Sequence, residues 1–252
     1  MSPGRAGEEN REPALAGEAA TDMLAQRLAS INRRVESAAR SAGRDPDAVR
    51  LVAVTKGHPA GAIEAAAALG LRDIGESRVQ EAVTKDEAIG RRGLDWHMIG
   101  HLQRNKAKSA ASLFDTVHSI DSAAVAADLA RHRDLLGGAR LRVLIEVELS
   151  GLPGRAGVLP ADAARLVAAV RDHAALEVVG LMTIAPPGSL EAAQRCFSTL
   201  RHLRDAIRAG EGMALDELSM GMSDDFEIAI AEGATIIRLG RALFGDPRTG
   251  GR

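Results

Sequence analysis

Eight short runs of strand-forming residues recur along the chain: Leu51–Thr55, Asp73–Gly75, His97–Gly100, Thr116–Ile120, Leu141–Leu149, Val178–Thr183, Glu217–Met220 and Thr235–Leu239. Segments with helical spacing of apolar residues alternate with them, among them Ala60–Leu69, Ser122–Leu136, Ala161–His173 and Leu190–Ala209. This alternation constrains the fold more than any other feature. Strands joined through helices run parallel, and a parallel sheet must be covered by those helices. Eight such units in 252 residues match the number that closes a parallel barrel, so the expected fold is α/β, a single (β/α)8 TIM-type barrel. An open doubly wound sheet is the rival, but no G-x-G-x-x-G follows the first strand, as its dinucleotide-binding form requires.

An extra helix precedes the first strand. Leu24, Leu28, Ile31, Val35 and Ala38 recur at helical spacing, and Gly43-Arg44-Asp45-Pro46 stops the pattern in a turn. Residues 1–20 are rich in Gly, Glu, Pro and Ala without an apolar period and are expected to form a mobile tail. The barrel with its extra helix is expected over 21–247, with 248–252 as a C-terminal tail.

Composition narrows the function classes. An apolar fraction of 46% supplies a full core, and a formal net charge of −2 with interspersed signs provides no footprint for nucleic acid or an anionic membrane. Cys196 is the lone cysteine, no apolar run approaches the roughly 20 residues that span a bilayer, and the N-terminus lacks the apolar region of a secretory signal. A cytoplasmic protein is expected, monomeric or alternatively dimeric, with neither nucleic acid nor membrane as partner. The chain contains no tyrosine.

In a barrel of this kind active groups sit at the C-terminal ends of strands, and a phosphate commonly binds in the loops after strands seven and eight. The first strand ends L-V-A-V-T-K-G-H-P, which puts Lys56 at such an end. It is either a solvated exit residue or a nucleophile whose desolvated, neutral amine forms a Schiff base with an aldehyde. After strand seven the chain reads L-S-M-G-M-S-D-D-F-E. Gly221 permits a close turn, Ser223 offers a hydroxyl, and Asp224 with Glu227 has the spacing of a capping box. Asp224 and Asp225 are expected to turn outward, leaving Ser223 and backbone N–H groups to face an anion. After strand eight I-R-L-G-R-A-L-F-G places Gly240 for close backbone approach before another helical turn.

Arg238 lies inside the apolar strand I-I-R-L. It is either satisfied in a barrel ion pair or set against a ring nitrogen of an aromatic cofactor, which an arginine would keep unprotonated and so weaken as an electron sink. Two other patterns lead nowhere. V-A-V-T-K lacks the Gly-rich loop, H-R-D and D-F-G of a kinase. His97 and His101 have the spacing of zinc ligands but straddle a strand end without the Glu of H-E-x-x-H, so no metal site is expected.

Taken in order, V-A-V-T-K, G-E-S-R-V-Q-E, W-H-M-I-G-H-L-Q-R-N-K, H-S-I-D-S, G-L-M-T-I, L-S-M-G-M-S-D-D-F and I-R-L-G-R-A-L-F-G resemble the pyridoxal phosphate homeostasis proteins, the YggS/PROSC group, over Leu24 to Gly245. The resemblance implies a barrel like the N-terminal domain of alanine racemase. Lys56 would carry pyridoxal 5′-phosphate (PLP) as an internal aldimine, Ser223, Gly240 and nearby backbone would hold the phosphate, and Arg238 would face the pyridine nitrogen. Ser77, Met220 and Arg241 complete the implied cofactor-binding set. Ser77 stands where the group usually has Asn, and Arg241 where it commonly has Thr, leaving the Arg241 backbone N–H for the phosphate.

The implied function is to buffer or deliver PLP, with effects on amino-acid and keto-acid pools and apo-PLP enzymes as recipients. No catalytic residue is assigned. The alternative is a PLP-dependent amino-acid racemase. Two-base racemization of that type needs a tyrosine opposite the lysine and a partner's extra β-domain, and this chain has no tyrosine and leaves no residues for that domain. A His or Cys in place of the phenol keeps the alternative open. A barrel adaptor with an incidental cofactor is the third reading.

Overall fold

The computed structural model describes residues 11–91 and 93–247, apart from the side chains of 11–20 and 211. Eight strands, β1 (Arg50–Val54), β2 (Asp73–Glu76), β3 (Asp95–Met98), β4 (Thr116–Ile120), β5 (Leu141–Glu146), β6 (Leu176–Met182), β7 (Glu217–Ser219) and β8 (Ile236–Leu239), pair in parallel in sequence order. β8 returns to β1 with Val52 opposite Arg238, and the barrel closes. Helices α1 (Arg11–Ser41), α2 (Ala60–Ala68), α3 (Val79–Ile89), α4 (Ala107–Leu113), α5 (Ala123–Leu136), α6 (Pro160–Arg171), α7 (Leu190–Glu211), α8 (Phe226–Ala231) and α9 (Arg241–Phe244) surround it. The expected (β/α)8 barrel with an added N-terminal helix is the observed fold.

Local chemistry sets the helix ends. Ser122 and Ser189 cap α5 and α7, accepting from Val125 N at 3.5 Å and Ala192 N at 3.2 Å, and Gly212 ends α7 in the left-handed region. Leu24, Ile31 and Val35 on α1 are buried in the main core, where the helix packs against α8 and α9. α1 begins at Arg11, ahead of the expected start at Thr21, so residues 11–20 of the expected tail are backbone helix. The remaining tail residues, 1–10 and 248–252, lie outside the described residues.

The main apolar core fills the space between strands and helices and includes Trp96, Phe114, Phe197 and Phe226. Inside the barrel the filling is different. His118 on β4 reaches Ser219 on β7, and Arg50 on β1 and Arg142 on β5 both reach Glu217 on β7. None of these strand pairs is adjacent, so the contacts cross the interior, beside a small separate apolar cluster of Leu144, Val179 and Met182.

β5 ends at Glu146 instead of continuing to Leu149, and after Val147 N donates to Met182 O at 2.8 Å the chain turns away. The reason is Glu148, whose Oε1 accepts from Ser150 N at 2.7 Å, Ser150 Oγ at 2.5 Å and Gly151 N at 2.9 Å and bends the chain into a turn. Among the described residues, no helix is long and apolar enough to cross a membrane.

Two glycines separate steric need from tolerance. A Cβ on Gly180 would collide with the carbonyl of Glu217, whereas one on Gly61 in α2 meets nothing within 4 Å. Gly180→Ala is expected to lose about 1–3 kcal/mol through overpacking. Gly61→Ala is expected to gain about 0.5–1 kcal/mol of helix propensity. Urea unfolding of the two variants checks both signs.

Candidate functional site

Lys56 leaves β1 at the C-terminal mouth of the barrel and is exposed. The lysine buried at this place is another one. Lys85 on α3 is 6% exposed, and its Nζ donates to Thr55 O at 2.7 Å, Glu76 Oε1 at 2.6 Å and Glu81 Oε1 at 2.8 Å. Thr55 Oγ1 donates to Glu76 Oε1 at 2.6 Å, and Gly57 N donates to Glu81 Oε1 at 2.6 Å. The residues on both sides of Lys56 are therefore tied into one ion-paired cluster, while its own side chain stays in solvent. Burial pushes the Glu76 carboxyl up, and the hydrogen bonds from Lys85 and Thr55 oppose the shift.

The loops after β7 and β8 meet. Ser223 Oγ accepts from Ala242 N in the first turn of α9 at 3.1 Å, and a Cβ on Gly240 would lie 3.1 Å from Val54 O. Gly240 thus lets the start of α9 press against the end of β1, immediately before Thr55 and Lys56. Gly221 turns at φ 93°, where a Cβ would meet Ala229 and Phe226.

Two expectations about this loop are corrected. The Asp224 and Glu227 capping box does not form, because Glu227 takes two hydrogen bonds from Arg34 of α1, each 2.8 Å. Asp224 does turn outward and pairs with Arg241, but Asp225 folds back at the N-cap of α8 and accepts from Met222 N at 2.6 Å. Burial raises its carboxyl, opposed by the Met222 N–H and by Arg238. The Arg241 side chain is thereby directed to the outer face. Met220 lies buried in the barrel wall, its N–H donating to Ile236 O at 3.1 Å. Ser77 is half-buried just past β2, and its carbonyl crosses so near Gly100 that a Cβ there would collide with it.

Beneath the mouth a hydrogen-bonded chain crosses the barrel. Asp73 Oδ1 lies 3.0 Å from His97 Nε2, His97 Nδ1 2.9 Å from His118 Nε2, and His118 Nδ1 2.8 Å from Ser219 Oγ. Arg238 donates from Nη1 to Ser219 Oγ at 2.6 Å and from Nη2 to Thr183 O at 2.9 Å. A carboxylate only accepts and a guanidinium only donates, which sets the direction at the two ends. The two ends are fixed, His97 Nε2 donating to Asp73 and Ser219 Oγ accepting from Arg238, and the roles of the ring nitrogens between them follow the tautomers. Burial holds His118 well below the usual imidazole range, with His97 and Arg238 adding to the effect.

Arg238 is 4% exposed, and burial lowers it to about 10, opposed by Glu146 and Asp225. It keeps its charge at neutral pH, and among the described residues its hydrogen bonds go to neutral groups, not to an ion-pair partner.

The structure thus gathers Lys56, Ser223, Arg238, Gly240 and the Arg241 backbone at one end of the barrel, with Ser77 and Met220 at neighbouring strand ends. His97 and His101 serve separate partners, His97 the interior chain and His101 Asp121 at 3.1 Å. Sequence reasoning missed Glu76, Lys85 and the two-histidine chain. The spacing of Glu81 and Lys85 within V-Q-E-A-V-T-K was a usable signal, because residues four apart on a helix meet.

Lys85→Met should leave Glu76 buried without its cation and cost about 3–5 kcal/mol. Adding Glu76→Gln should restore most of that loss. Thermal unfolding of the two single variants and the double variant checks the coupling.

The profile of the alanine racemase N-terminal domain matches residues 26–247. The chain is 43% identical over 223 residues to the Pyridoxal phosphate homeostasis protein of Pseudomonas aeruginosa, covering 88% of this chain and 95% of that one. It is 38% identical to the protein of the same name from Aquifex aeolicus, covering 88% of this chain and 97% of that one. Among solved structures, PipY of Synechococcus elongatus with PLP bound is 41% identical with a TM-score of 0.78, over 88% of this chain and 100% of that one. An alanine racemase from Clostridium difficile shares the fold at 14% identity and a TM-score of 0.69, over 91% of this chain and 58% of that one. This chain belongs to the pyridoxal phosphate homeostasis proteins, within the alanine racemase N-terminal domain family.

Proposed function

We propose that this chain binds PLP at the barrel mouth and buffers or delivers it, without robust turnover of its own. The observation that carries the reading is the convergence of an accessible amine, Lys56, with the joined loops of Ser223 and Ala242 and with the buried cation Arg238. The relatives named for PLP homeostasis and the PLP-bound PipY point the same way. These residues suit the cofactor's three recognisable parts. Ser223, Gly240 and the first N–H groups of α9 would hold the phosphate, Arg238 the pyridine nitrogen and Lys56 the aldehyde, with Ser77, Met220 and the Arg241 backbone flanking them.

Bound PLP supplies an electrophilic aldehyde on an electron-withdrawing ring. Each of the chain's own groups favours holding over turnover. Lys56 is exposed, so its amine is open to capture and to exchange. Arg238 keeps its proton at neutral pH and would leave the ring nitrogen unprotonated. There is no tyrosine to serve as a second base. His97 and His118 are committed to the interior chain, and burial pushes the Cys196 thiol up to about 11, opposed by the hydrogen bond with Thr183. Apo-PLP enzymes of the cytoplasm are the proposed recipients. The racemase reading is the weaker one on these grounds.

Borohydride reduction of the PLP-loaded protein, digestion and mass spectrometry should place the phosphopyridoxyl group on Lys56. Labelling chiefly at Lys85, Lys106 or Lys108 would reject the assignment. Ser223→Ala should weaken PLP about tenfold while leaving unphosphorylated pyridoxal nearly unchanged, as measured by fluorescence titration. In a coupled assay the loaded protein should activate an apo-enzyme. With alanine, serine or glutamate it should give no racemization or transamination above free PLP. Sustained turnover that disappears in Lys56→Ala would move the protein to the racemase class.

A further inference from the structure

Arg238 carries its N–H donors on a planar fork, and the fork has to be held in place before any of them can be aimed at a ligand. Among the described residues it gives one hydrogen bond from Nη1 to Ser219 Oγ at 2.6 Å and one from Nη2 to Thr183 O at 2.9 Å. The acceptors stand on successive strands, Ser219 at the end of β7 and Thr183 just beyond β6. Both terminal nitrogens are therefore anchored, and the remaining N–H groups are left for a ligand.

Satisfying a buried charge does not account for this choice of partners. Glu146 acts on Arg238 through space, and its Oε2 is buried without a hydrogen bond among the described residues. Asp225 also acts on Arg238 through space and accepts from Met222 N instead. Direct pairing with either carboxylate would give a stronger, charge-assisted bond. The fork is held by two neutral oxygens, and Ser219 Oγ is the one that belongs to a side chain.

A serine hydroxyl on its own is free to rotate. Here the Ser219 Oγ is fixed by a second contact, 2.8 Å to His118 Nδ1, which comes from β4 on the other side of the barrel. His118 is held in turn by His97 at 2.9 Å, and His97 by Asp73 at 3.0 Å. Ser219 and His118 are fully buried, so water does not compete for these contacts.

We propose that Ser219, held by His118, is a positioning residue that aims Arg238 at the ring nitrogen of bound PLP. The inference rests on the PLP-binding reading and adds to it two residues that act through Arg238. Its consequence is confined to the ring nitrogen, because the phosphate hold of Ser223 and Gly240 and the amine of Lys56 lie outside this chain of contacts.

The test compares PLP with its 1-deaza analogue, in which a C–H replaces the pyridine nitrogen, by calorimetric titration of the full-length apo protein. The wild-type protein should bind PLP more tightly than the analogue. Ser219→Ala should weaken PLP about tenfold and leave the analogue nearly unchanged. His118→Leu should act in the same direction. His118→Asn, whose amide can stand where Nδ1 stands, should restore PLP affinity, although both variants lose the contact with His97. The ratio of the two affinities within one variant does not depend on the fraction of protein that is folded, since that fraction scales both alike. Ser223→Ala should weaken both ligands together. Equal loss of PLP and analogue in Ser219→Ala, no loss of either, or equal behaviour of His118→Leu and His118→Asn would overturn the proposal while PLP binding stands. Wild-type protein that binds neither ligand would overturn the PLP-binding reading and this inference with it.

Discussion

An arginine can only donate hydrogen bonds and a carboxylate can only accept them. Arg238 and Asp73 are the two fixed ends of the hydrogen-bonded chain that crosses the barrel interior through Ser219, His118 and His97. Four strands contribute to the chain, β2, β3, β4 and β7, and β8 supplies its donor end. The interior of a closed parallel sheet admits little water, so each polar group placed there needs a partner from another strand. The chain satisfies those groups, and it presents a charged guanidinium just below the mouth. Had an acid paired directly with Arg238, its charge would have been spent inside the barrel.

The mouth is built around that guanidinium by two different devices. On the β1 side the cluster of Thr55, Glu76, Glu81 and Lys85 fixes the backbone flanking Lys56. On the β7 and β8 side Ser223 joins the two loops and Gly240 brings them against Val54. Rigid backbone with an exposed side chain suits an amine that captures and releases a reactive partner. A deeply desolvated lysine would suit turnover better, because burial favours the neutral amine.

Much of this was legible from sequence. The strand ends expected at Thr55, Met220 and Leu239 fall within one residue of those observed at Val54, Ser219 and Leu239, because the signals that stop a strand are local. The alternation of strand and helix then restricts the topology to a few choices. Positions at strand ends, Lys56, Ser223, Arg238 and Gly240, follow once the barrel is assumed. The fate of their side chains does not follow. Asp224 and Glu227 have the spacing of a cap, yet Glu227 goes to Arg34, a residue 193 positions away in sequence. A bidentate guanidinium competes well against a backbone N–H for one carboxylate.

The alternating pattern of the chain determined the order of elements, the closed barrel and which residues stand at its mouth, because strand and helix periods are properties of short segments. Tertiary structure alone decided which lysine is buried, which aspartate turns inward and, among the described residues, which glutamate oxygens are buried without a hydrogen bond. It also decided that His118 meets Ser219 across 101 residues of chain. Hydrogen-bond and charge partners are chosen among groups that folding brings together, and the desolvation that sets their protonation exists only once the barrel has closed around them.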